Sequence, residues 1–181
     1  AFYAKTGFVR VGSHDFFVGP DRQTDHVLLA PVAGTIDRVT LRESTAETVR
    51  AVNVLAVHPA QRQQVATNAE SLSQALFAPE AWYRAIYADD EPAGFVMLYD
   101  ESLRAVPPPS PQVAVWRFMV DGRFQGRGVG RAAMTEVIAH VRRKGLFRTL
   151  ELSYVPGPAS PEPFYLKLGF RHIADVGAYD H

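Results

Sequence analysis

Apolar residues recur with two different spacings along the chain, and each spacing predicts one kind of element. Residues 35–42 alternate apolar and polar side chains, which predicts a half-buried strand. Residues 113–120 form the strongest strand candidate. Residues 128–144 carry apolar side chains four positions apart, which predicts a helix with one buried face, ended by Gly145. Its apolar positions are Val129, Ala133, Val137 and Val141.

Two further apolar runs predict an antiparallel hairpin. Residues 82–87 and 95–99 flank a polar segment, 89–94, that contains a proline and a glycine. Residues 107–111 are four prolines and a serine, which predicts a loop because proline donates no backbone hydrogen bond.

The first half of the chain also predicts two helices. A hydroxyl followed three positions later by a glutamate, Ser44 to Glu47, is typical of a capping box and predicts a helix start there. Val49, Val52 and Ala56 then mark one face of a helix that ends at His58. A second helix is predicted within residues 71–77.

The last third predicts a strand over residues 150–155, a short helix over 161–168 and a final strand over 170–176. The predicted order is therefore β-α-α-β-β-β-α-β-α-β. This order is typical of an α/β protein with a mixed sheet and helices on its faces.

Composition and charge narrow the class of partner. The 181 residues suit one domain of ordinary size, and 19 basic residues balance 19 acidic ones. With this balance the chain has no net positive charge that would attract nucleic acid or an anionic membrane. We therefore expect neither partner and favour a small molecule. Six histidines show no metal-ligand spacing, and no metal is predicted.

The absence of cysteine excludes disulfides, thiolate nucleophiles and cysteine-based zinc sites. It favours a reducing cytoplasm. No apolar run reaches the roughly 18 residues that a membrane span needs, and residues 1–5 lack the layout of a signal peptide. The expected location is therefore cytoplasmic.

A glycine-rich turn between the strand at 113–120 and the helix at 128–144 predicts an anion site. Free N–H groups and the positive end of the helix dipole meet there, and glycines let the backbone approach a diphosphate closely. Arg127 and Arg131 add positive charge. Arg131 follows Gly130 where a P-loop has lysine, and the glycine spacing is not that of a dinucleotide-binding turn. The alternative is a simple turn without a ligand.

Two motifs give the chain a family resemblance. Residues 125–130, Gln-Gly-Arg-Gly-Val-Gly, match the Q/R-x-x-G-x-G/A signature of the GNAT acetyltransferase superfamily. Residues 163–170 resemble its second hallmark, a short helix with a tyrosine followed by Gly-Phe. The resemblance covers about residues 36–176. It implies the GNAT acyl-CoA N-acyltransferase fold, an α/β fold whose mostly antiparallel central sheet has splayed strands and flanking helices.

The resemblance also implies a site and a mechanism. The splayed strands would be residues 116–120 and 151–154, with the pantetheine arm of acetyl-CoA between them. The cofactor-binding residues would then be Phe118, Met119, Val120, Gln125, Gly126, Arg127, Gly128, Val129, Gly130 and Arg131. An amine would attack the thioester directly, without a metal, and Tyr165 would protonate the departing thiolate. The alternative for Tyr165 is a packing role, and the general base stays open between Glu151 and a water chain.

Several segments, residues 82–90, 92–100 and 152–157, resemble the diamine and spermidine acetyltransferase branch. A small polyamine or diamine is therefore the expected acceptor, held by carboxylates and aromatic faces. The candidate carboxylates, each of which could equally be an ordinary solvated charge, are Asp100, Glu101, Glu70 and Glu80. Three alternatives stay open: a non-catalytic acyl-CoA-binding module, an acetyltransferase for peptide or protein amines, and an interaction domain without cofactor.

The two ends of the chain share a motif. Residues 2–8, Phe-Tyr-Ala-Lys-Thr-Gly-Phe, resemble residues 164–170, which lie 162 positions later. We interpret residues 1–30 as a tail-like segment of such a domain, a helix end plus a closing hairpin, and 35–181 as a domain without its last strand. Residues 8–29 would then supply sheet-closing strands within the chain or to a neighbour, as a homodimer or by strand exchange. A piece of a tandem protein, a permuted chain and an unusual segment order all remain possible origins.

Overall fold

A computed structural model of the chain describes residues 9–29 and 35–173. The chain divides into two units between Thr35 and Ile36.

The first unit contains a β-hairpin. Strand β1 (Val9–Val18) pairs antiparallel with β2 (Asp21–Leu29), and Gly19 has a φ of +63° in the turn between them. Glycine tolerates this left-handed conformation because it lacks a Cβ. The predicted hairpin is therefore present, but it forms a two-stranded sheet of its own. The role of these strands in closing a sheet, within the chain or in a neighbouring chain, stays a prediction.

The second unit contains a five-stranded sheet in the order β3-β4-β5-β6-β7. Its strands are β3 (Val39–Arg42), β4 (Ala81–Ala88), β5 (Glu91–Asp100), β6 (Val113–Val120) and β7 (Glu151–Leu152). Every neighbouring pair is antiparallel except β6 and β7, which are parallel. This is the mixed, mostly antiparallel sheet that the sequence predicts.

Helices cover both faces of this sheet. In the described part of the chain they are α1 (Val49–Asn53), α2 (Asn68–Ala75), α3 (Val129–Lys144) and α4 (Glu162–Lys167). Single 3-10 turns lie at Pro59–Gln61, Glu101–Leu103 and Gly122–Phe124.

The alternation of side chains along β5 divides the core into two clusters. Val96 and Leu98 pack into the cluster that contains the buried residues of α3. Phe95 and Met97 point to the opposite face and pack with Val52 of α1. All four strand residues are fully buried, as expected for a central strand covered on both faces.

The predicted start of the first helix is wrong. Thr45 donates a hydrogen bond to the Glu47 carboxylate at 2.6 Å, and this closes a local turn instead of a cap. Helix α1 starts only at Val49, and its last residue, Asn53, comes before Ala56. The capping box lies on α2 instead, where the backbone N–H of Glu70 donates to the Thr67 hydroxyl at 3.2 Å and the carboxylate accepts in return.

The hairpin of β4 and β5 is confirmed, but its turn is only Asp89 and Asp90. Gly94, predicted to lie in the turn, is instead a strand residue. A Cβ at this position would stand 2.4 Å from the carbonyl oxygen of Met119, so the glycine allows β6 to approach β5.

The predictions for the last third are confirmed in part. Helix α3 ends at Gly145, which has a φ of +66°, and α4 lies where a short helix is predicted. Strand β7 contains only two of the residues predicted for it, and residues 170–173 are not a strand. Residues 174–176 of the predicted final strand lie outside the described residues. No helix in the described ranges has the length and apolar character to cross a membrane.

Candidate active site

Strand β6 is paired on both sides only along its first part. Its pairs with β7 are Ala114 with Glu151 and Val115 with Leu152. On the other side, the register with β5 shifts so that Trp116 has no partner of its own. Such a bulge bends a strand and increases its twist. The bulge lies where the β6–β7 pairing stops, so residues 116–120 leave an open strand edge on the β7 side.

The backbone groups on this open edge follow from the antiparallel pattern. Bonds between antiparallel strands join directly opposite residues, at every second position. The N–H of Asp121 donates to the carbonyl of Ala93 at 2.8 Å, so Met119, two positions earlier, also bonds to β5. The N–H and C=O groups of Phe118 and Val120 therefore point toward the open edge.

This pattern distinguishes the three strand residues of the predicted cofactor site. Phe118, Met119 and Val120 are all predicted to bind the cofactor, and the backbone groups of Met119 bond to β5. Its side chain packs with Val52 on the opposite face of the sheet from the buried residues of α3. The carbonyl of Val120 accepts a hydrogen bond from the Gln125 side chain at 2.9 Å. The N–H of Val120 and both groups of Phe118 remain on the open edge.

The glycine-rich turn joins this edge to α3. Gly126 and Gly128 have φ values of +74° and +87°, in the left-handed region that favours glycine. The first intrahelical bond runs from the N–H of Ala132 to the carbonyl of Gly128 at 3.0 Å. No side chain caps this end of the helix and its first turn holds no acidic residue. The helical geometry thus leaves the N–H groups of Val129, Gly130 and Arg131 pointing out of the helix end.

Phe164 ties this turn to α4 and to β6. A Cβ on Gly130 would lie 3.3 Å from the Phe164 ring, so glycine allows α4 to pack closely against the first turn of α3. On its other side the Phe164 ring stacks with Phe118 at a centroid distance of 6.0 Å. The open edge, the turn and α4 are thus one packed assembly.

The side chain of Gln125 braces the turn. Its amide donates both to the Val120 carbonyl and to Gln61, each at 2.9 Å. These two bonds fix the turn relative to the end of β6, so Gln125 acts through its side chain as a positioning residue. Arg127 lies with its guanidinium 5.4 Å from the Phe124 ring centroid, and both Arg127 and Arg131 are exposed.

Tyr165 lies on α4 with 7% of its surface exposed. Its ring packs edge-on against Phe164 and Phe170 at centroid distances of 5.2 and 5.8 Å. Burial raises the pKa of its hydroxyl to about 12, so the group stays protonated at neutral pH. A proton donor needs such a protonated hydroxyl, and the ring contacts give Tyr165 the packing role that the sequence left open.

Three polar residues near the C-terminal end of the described chain form a cluster that sequence reasoning missed. The hydroxyl of Tyr154 donates to a carboxylate oxygen of Glu162 at 2.7 Å. The same oxygen lies 2.9 Å from the His172 ring nitrogen. The hydrogen bond to Glu162 raises the pKa of the Tyr154 hydroxyl. No spacing signal in the sequence connects these positions. Glu151, the predicted base candidate, is half-buried on β7, with Thr149 at 3.4 Å.

Asp121 is a second residue that sequence reasoning missed. It is buried, and its carboxylate accepts from the N–H of Ala56 and from the N–H of Arg123, each at 3.0 Å. Burial alone would raise the pKa of this carboxyl, but these bonds and the Arg123 guanidinium hold it below its usual range. Asp121 therefore fixes the segment after α1 to the end of β6.

The four carboxylates expected to hold a polyamine already have protein partners. Asp100 is buried, forms an ion pair with Lys144 and accepts from the Ser102 hydroxyl at 2.6 Å. Arg104 forms ion pairs with two further candidates, Glu80 at 2.7 Å and Glu101 at 3.2 Å. Glu70 is the carboxylate of the α2 capping box. None of the residues described contributes to a group of three or more potential metal ligands.

The sequence profile of the Acetyltransferase (GNAT) family matches residues 64–170, more than half of the chain. The chain belongs to this acetyltransferase family. The matched range runs from before α2 through the turn to the Gly-Phe after α4. Three predictions are therefore confirmed: the GNAT family, the GNAT fold and the activity of an acetyl-CoA-dependent N-acetyltransferase. No curated protein sequence matches the chain.

Solved structures share the fold of this acetyltransferase at low identity. An acetyltransferase from Thermus thermophilus has a TM-score of 0.61 at 18% identity, over 80% of this chain and 94% of that one. AAC(6')-Iy, solved with a bisubstrate analogue of coenzyme A and acetylneamine, has a TM-score of 0.58 at 19% identity, over 80% and 99%. The ribosomal-protein-S18-alanine N-acetyltransferase from Escherichia coli has 0.55 at 16%, over 76% and 80%.

Proposed function

We propose that this acetyltransferase transfers the acetyl group of acetyl-CoA to a primary amine of a small molecule by direct attack, with a polyamine or diamine as the acceptor. The observation that carries the proposal is the continuity of the open β6 edge with the turn at residues 125–131. Both present backbone N–H groups that lack the usual partners of a sheet or helix.

The turn would bind the diphosphate of coenzyme A. The N–H groups of Val129, Gly130 and Arg131 and the helix dipole favour an anion there. Gly126 and Gly128 shape the backbone, and the guanidinium groups of Arg127 and Arg131 add charge. Gln125 would hold the turn in place through Val120.

From the turn, the pantetheine arm would run back along β6. It would meet Val120 first and Phe118 next, which places the thioester near the bulge at Trp116. An N–H on this edge would donate a hydrogen bond to the thioester carbonyl and stabilise the negative charge that develops on its oxygen. This assigns cofactor contacts to Phe118 and Val120 but not to the backbone of Met119.

The reaction would need one proton removed and one supplied. The neutral amine forms a bond to the carbonyl carbon, and its nitrogen gives up one proton to Glu151 or to a water chain. The carbon–sulfur bond breaks, and the thiolate leaves with the electron pair. Tyr165 would give its proton to that thiolate, since its hydroxyl carries a proton at neutral pH, where burial raises its pKa to about 12. Direct attack suits a chain without cysteine, since no thiol is available for a covalent intermediate.

The choice of acceptor rests on the resemblance of residues 82–90, 92–100 and 152–157 to the diamine branch. The four candidate carboxylates do not add to it, because each is engaged within the protein. A peptide amine remains the second acceptor class. The absence of cysteine supports the cytoplasm as the place of action, and the β1–β2 hairpin is the proposed means of homodimer formation or strand exchange.

Release of free thiol from acetyl-CoA, measured with a panel of acceptors, tests the proposal. The panel contains spermidine and a diamine, an aminoglycoside and a peptide with a free N-terminal alanine. Turnover with the first two supports the polyamine assignment, and turnover with the peptide alone overturns it. Binding of acetyl-CoA without thiol release for any acceptor indicates a non-catalytic module. If coenzyme A does not raise the melting temperature of the protein, the proposed binding site for coenzyme A is contradicted.

A further inference from the structure

A second cleft lies away from the turn, between β3, β4 and the C-terminal half of α3. Its volume is about 490 Å³. The residues that line it include Arg38, Trp82, Arg84, Glu136, His140 and Arg143. Arg143 and Arg131 are twelve residues apart on α3, which corresponds to about 18 Å along the helix axis. None of the residues that line the cleft belongs to the candidate acetyl-CoA site.

Positive charge dominates this cleft. Three arginines, Arg38, Arg84 and Arg143, and one carboxylate residue, Glu136, line it. Arg84 has an ion pair with Glu43 at 3.1 Å. Arg38 and Arg143 are exposed and form no ion pair with another residue in the ranges 9–29 and 35–173. Like charges lining one concave surface concentrate the field for an anion.

Stacked rings form one wall of the cleft and hold it in shape. Trp82 and His140 stack with a centroid distance of 4.1 Å and an angle of 22°. The Arg84 guanidinium lies 4.8 Å from the Trp82 ring centroid. This arrangement fixes one guanidinium by aromatic contact, so it is preorganised for a ligand.

The wall also contains a polar atom without a partner. The Nε2 atom of His140 is buried and makes no hydrogen bond. Burial lowers the pKa of His140, and Lys144, Arg143 and Arg84 lower it further, while Asp100 acts in the opposite direction. The imidazole is therefore neutral in the free protein at neutral pH.

We propose that this cleft binds a small anion with two or more negative charges, carried by phosphate or carboxylate groups, between Arg38, Arg84 and Arg143. Arginine suits both groups because its planar fork of N–H donors matches two of their oxygens at once. A negative charge beside His140 favours the protonated imidazole, so binding takes up a proton and strengthens as the pH falls. Glu136, the carboxylate in the cleft, opposes the ligand.

NMR titration of the full chain tests this site, with the His140 ring resonances as the readout. Pyrophosphate and citrate are the two probes, and sodium chloride at matched ionic strength is the control. Both probes are expected to give a saturable shift and to raise the pKa of His140, while His58, which is absent from the cleft lining, does not respond. The tighter probe distinguishes a phosphate ligand from a carboxylate one. An equal response to chloride, or no saturable shift, overturns the proposal.

Charge variants provide the matched comparison. The double variant R38Q/R143Q should weaken binding about tenfold or more, since it removes two of the three positive charges that would hold the anion. R142Q, which removes one exposed charge next to the cleft, should change it by less than about twofold. E136Q should tighten binding. Equal losses in R142Q and R38Q/R143Q, or weaker binding in E136Q, would reject the assignment of these side chains.

Discussion

The two parts of strand β6 differ in what their backbone does. Ala114 and Val115 are paired with both β5 and β7. Residues 117–120 are paired with β5 but not with β7. The first part has strand partners on both sides, whereas the second leaves backbone groups on an open edge. An extra residue, Trp116, lies between the two parts.

This contrast explains why the fold tolerates an open strand inside a sheet. Exposed strand edges are usually protected, because unpaired backbone groups favour association with other chains. Here the turn, Gln125 and α4 with Phe164 enclose one end of the edge. A substrate arm that adds as an extra strand would satisfy the remaining groups.

The largest effect on stability is expected where β6 is paired with β5. Phe95 on β5 is fully buried opposite Met119, so F95A should lower the free energy of unfolding by about 3–5 kcal/mol. Urea denaturation followed by circular dichroism measures this. A loss below about 1 kcal/mol would show that this part of the sheet does not hold the fold together.

Substitution of Tyr165 tests its proposed role as the proton donor. Y165F keeps the buried ring but removes the proton donor, so kcat should fall about 100-fold with little change in KM for acetyl-CoA. Thiol-release kinetics measure both constants. L166A changes the neighbouring, largely exposed side chain and is the control. Unchanged kcat in Y165F would leave Tyr165 with its packing role alone.

The same residue predicts a pH dependence of stability. An unfolded tyrosine ionises near pH 10, while burial raises the folded pKa of Tyr165 to about 12. The unfolded state therefore loses its proton first, and stability falls as the pH rises from about 10 to 12. Denaturation curves across this range should show a smaller decline in Y165F than in the wild type, and equal declines would contradict the burial of the hydroxyl.

Neighbouring proline substitutions distinguish the two sides of β6 directly. V120P removes an N–H that points to the open edge, so KM for acetyl-CoA should rise about tenfold with folding retained. M119P removes an N–H that bonds to β5 and should destabilise the sheet instead. Steady-state kinetics and thermal melts measure the two effects. The reverse result would contradict the backbone directions assigned to Phe118 and Val120.

The smallest effect is expected from the charges beside the turn. Arg131 is exposed, so R131Q should raise KM for acetyl-CoA only a few-fold, and added salt should reduce the difference from the wild type. R148Q, a substitution of another exposed arginine outside the turn, should have no such effect. A loss in R131Q that is insensitive to salt would argue against a purely electrostatic role.

The sequence predicted the features that depend on neighbouring residues. The glycines of the turn, the four-residue spacing of Val129 to Val141 and the glycine at the end of α3 are local signals, and α3 begins and ends close to the predicted positions. The hydroxyl-glutamate spacing failed at Ser44, because the Glu47 carboxylate accepts from Thr45 within a turn and helix α1 starts only at Val49. At Thr67 this spacing formed the cap.

The sequence by itself determined the family, through two motifs in the right order, and the class of fold. Only the tertiary structure decided which backbone groups of β6 face the open edge, because strand register depends on the pairing of distant residues such as Ala93 and Asp121. It also decided that Asp100 forms an ion pair with Lys144 and that three arginines line one cleft. Packing brings together charged residues that are far apart in the sequence, and no local spacing pattern predicts such contacts.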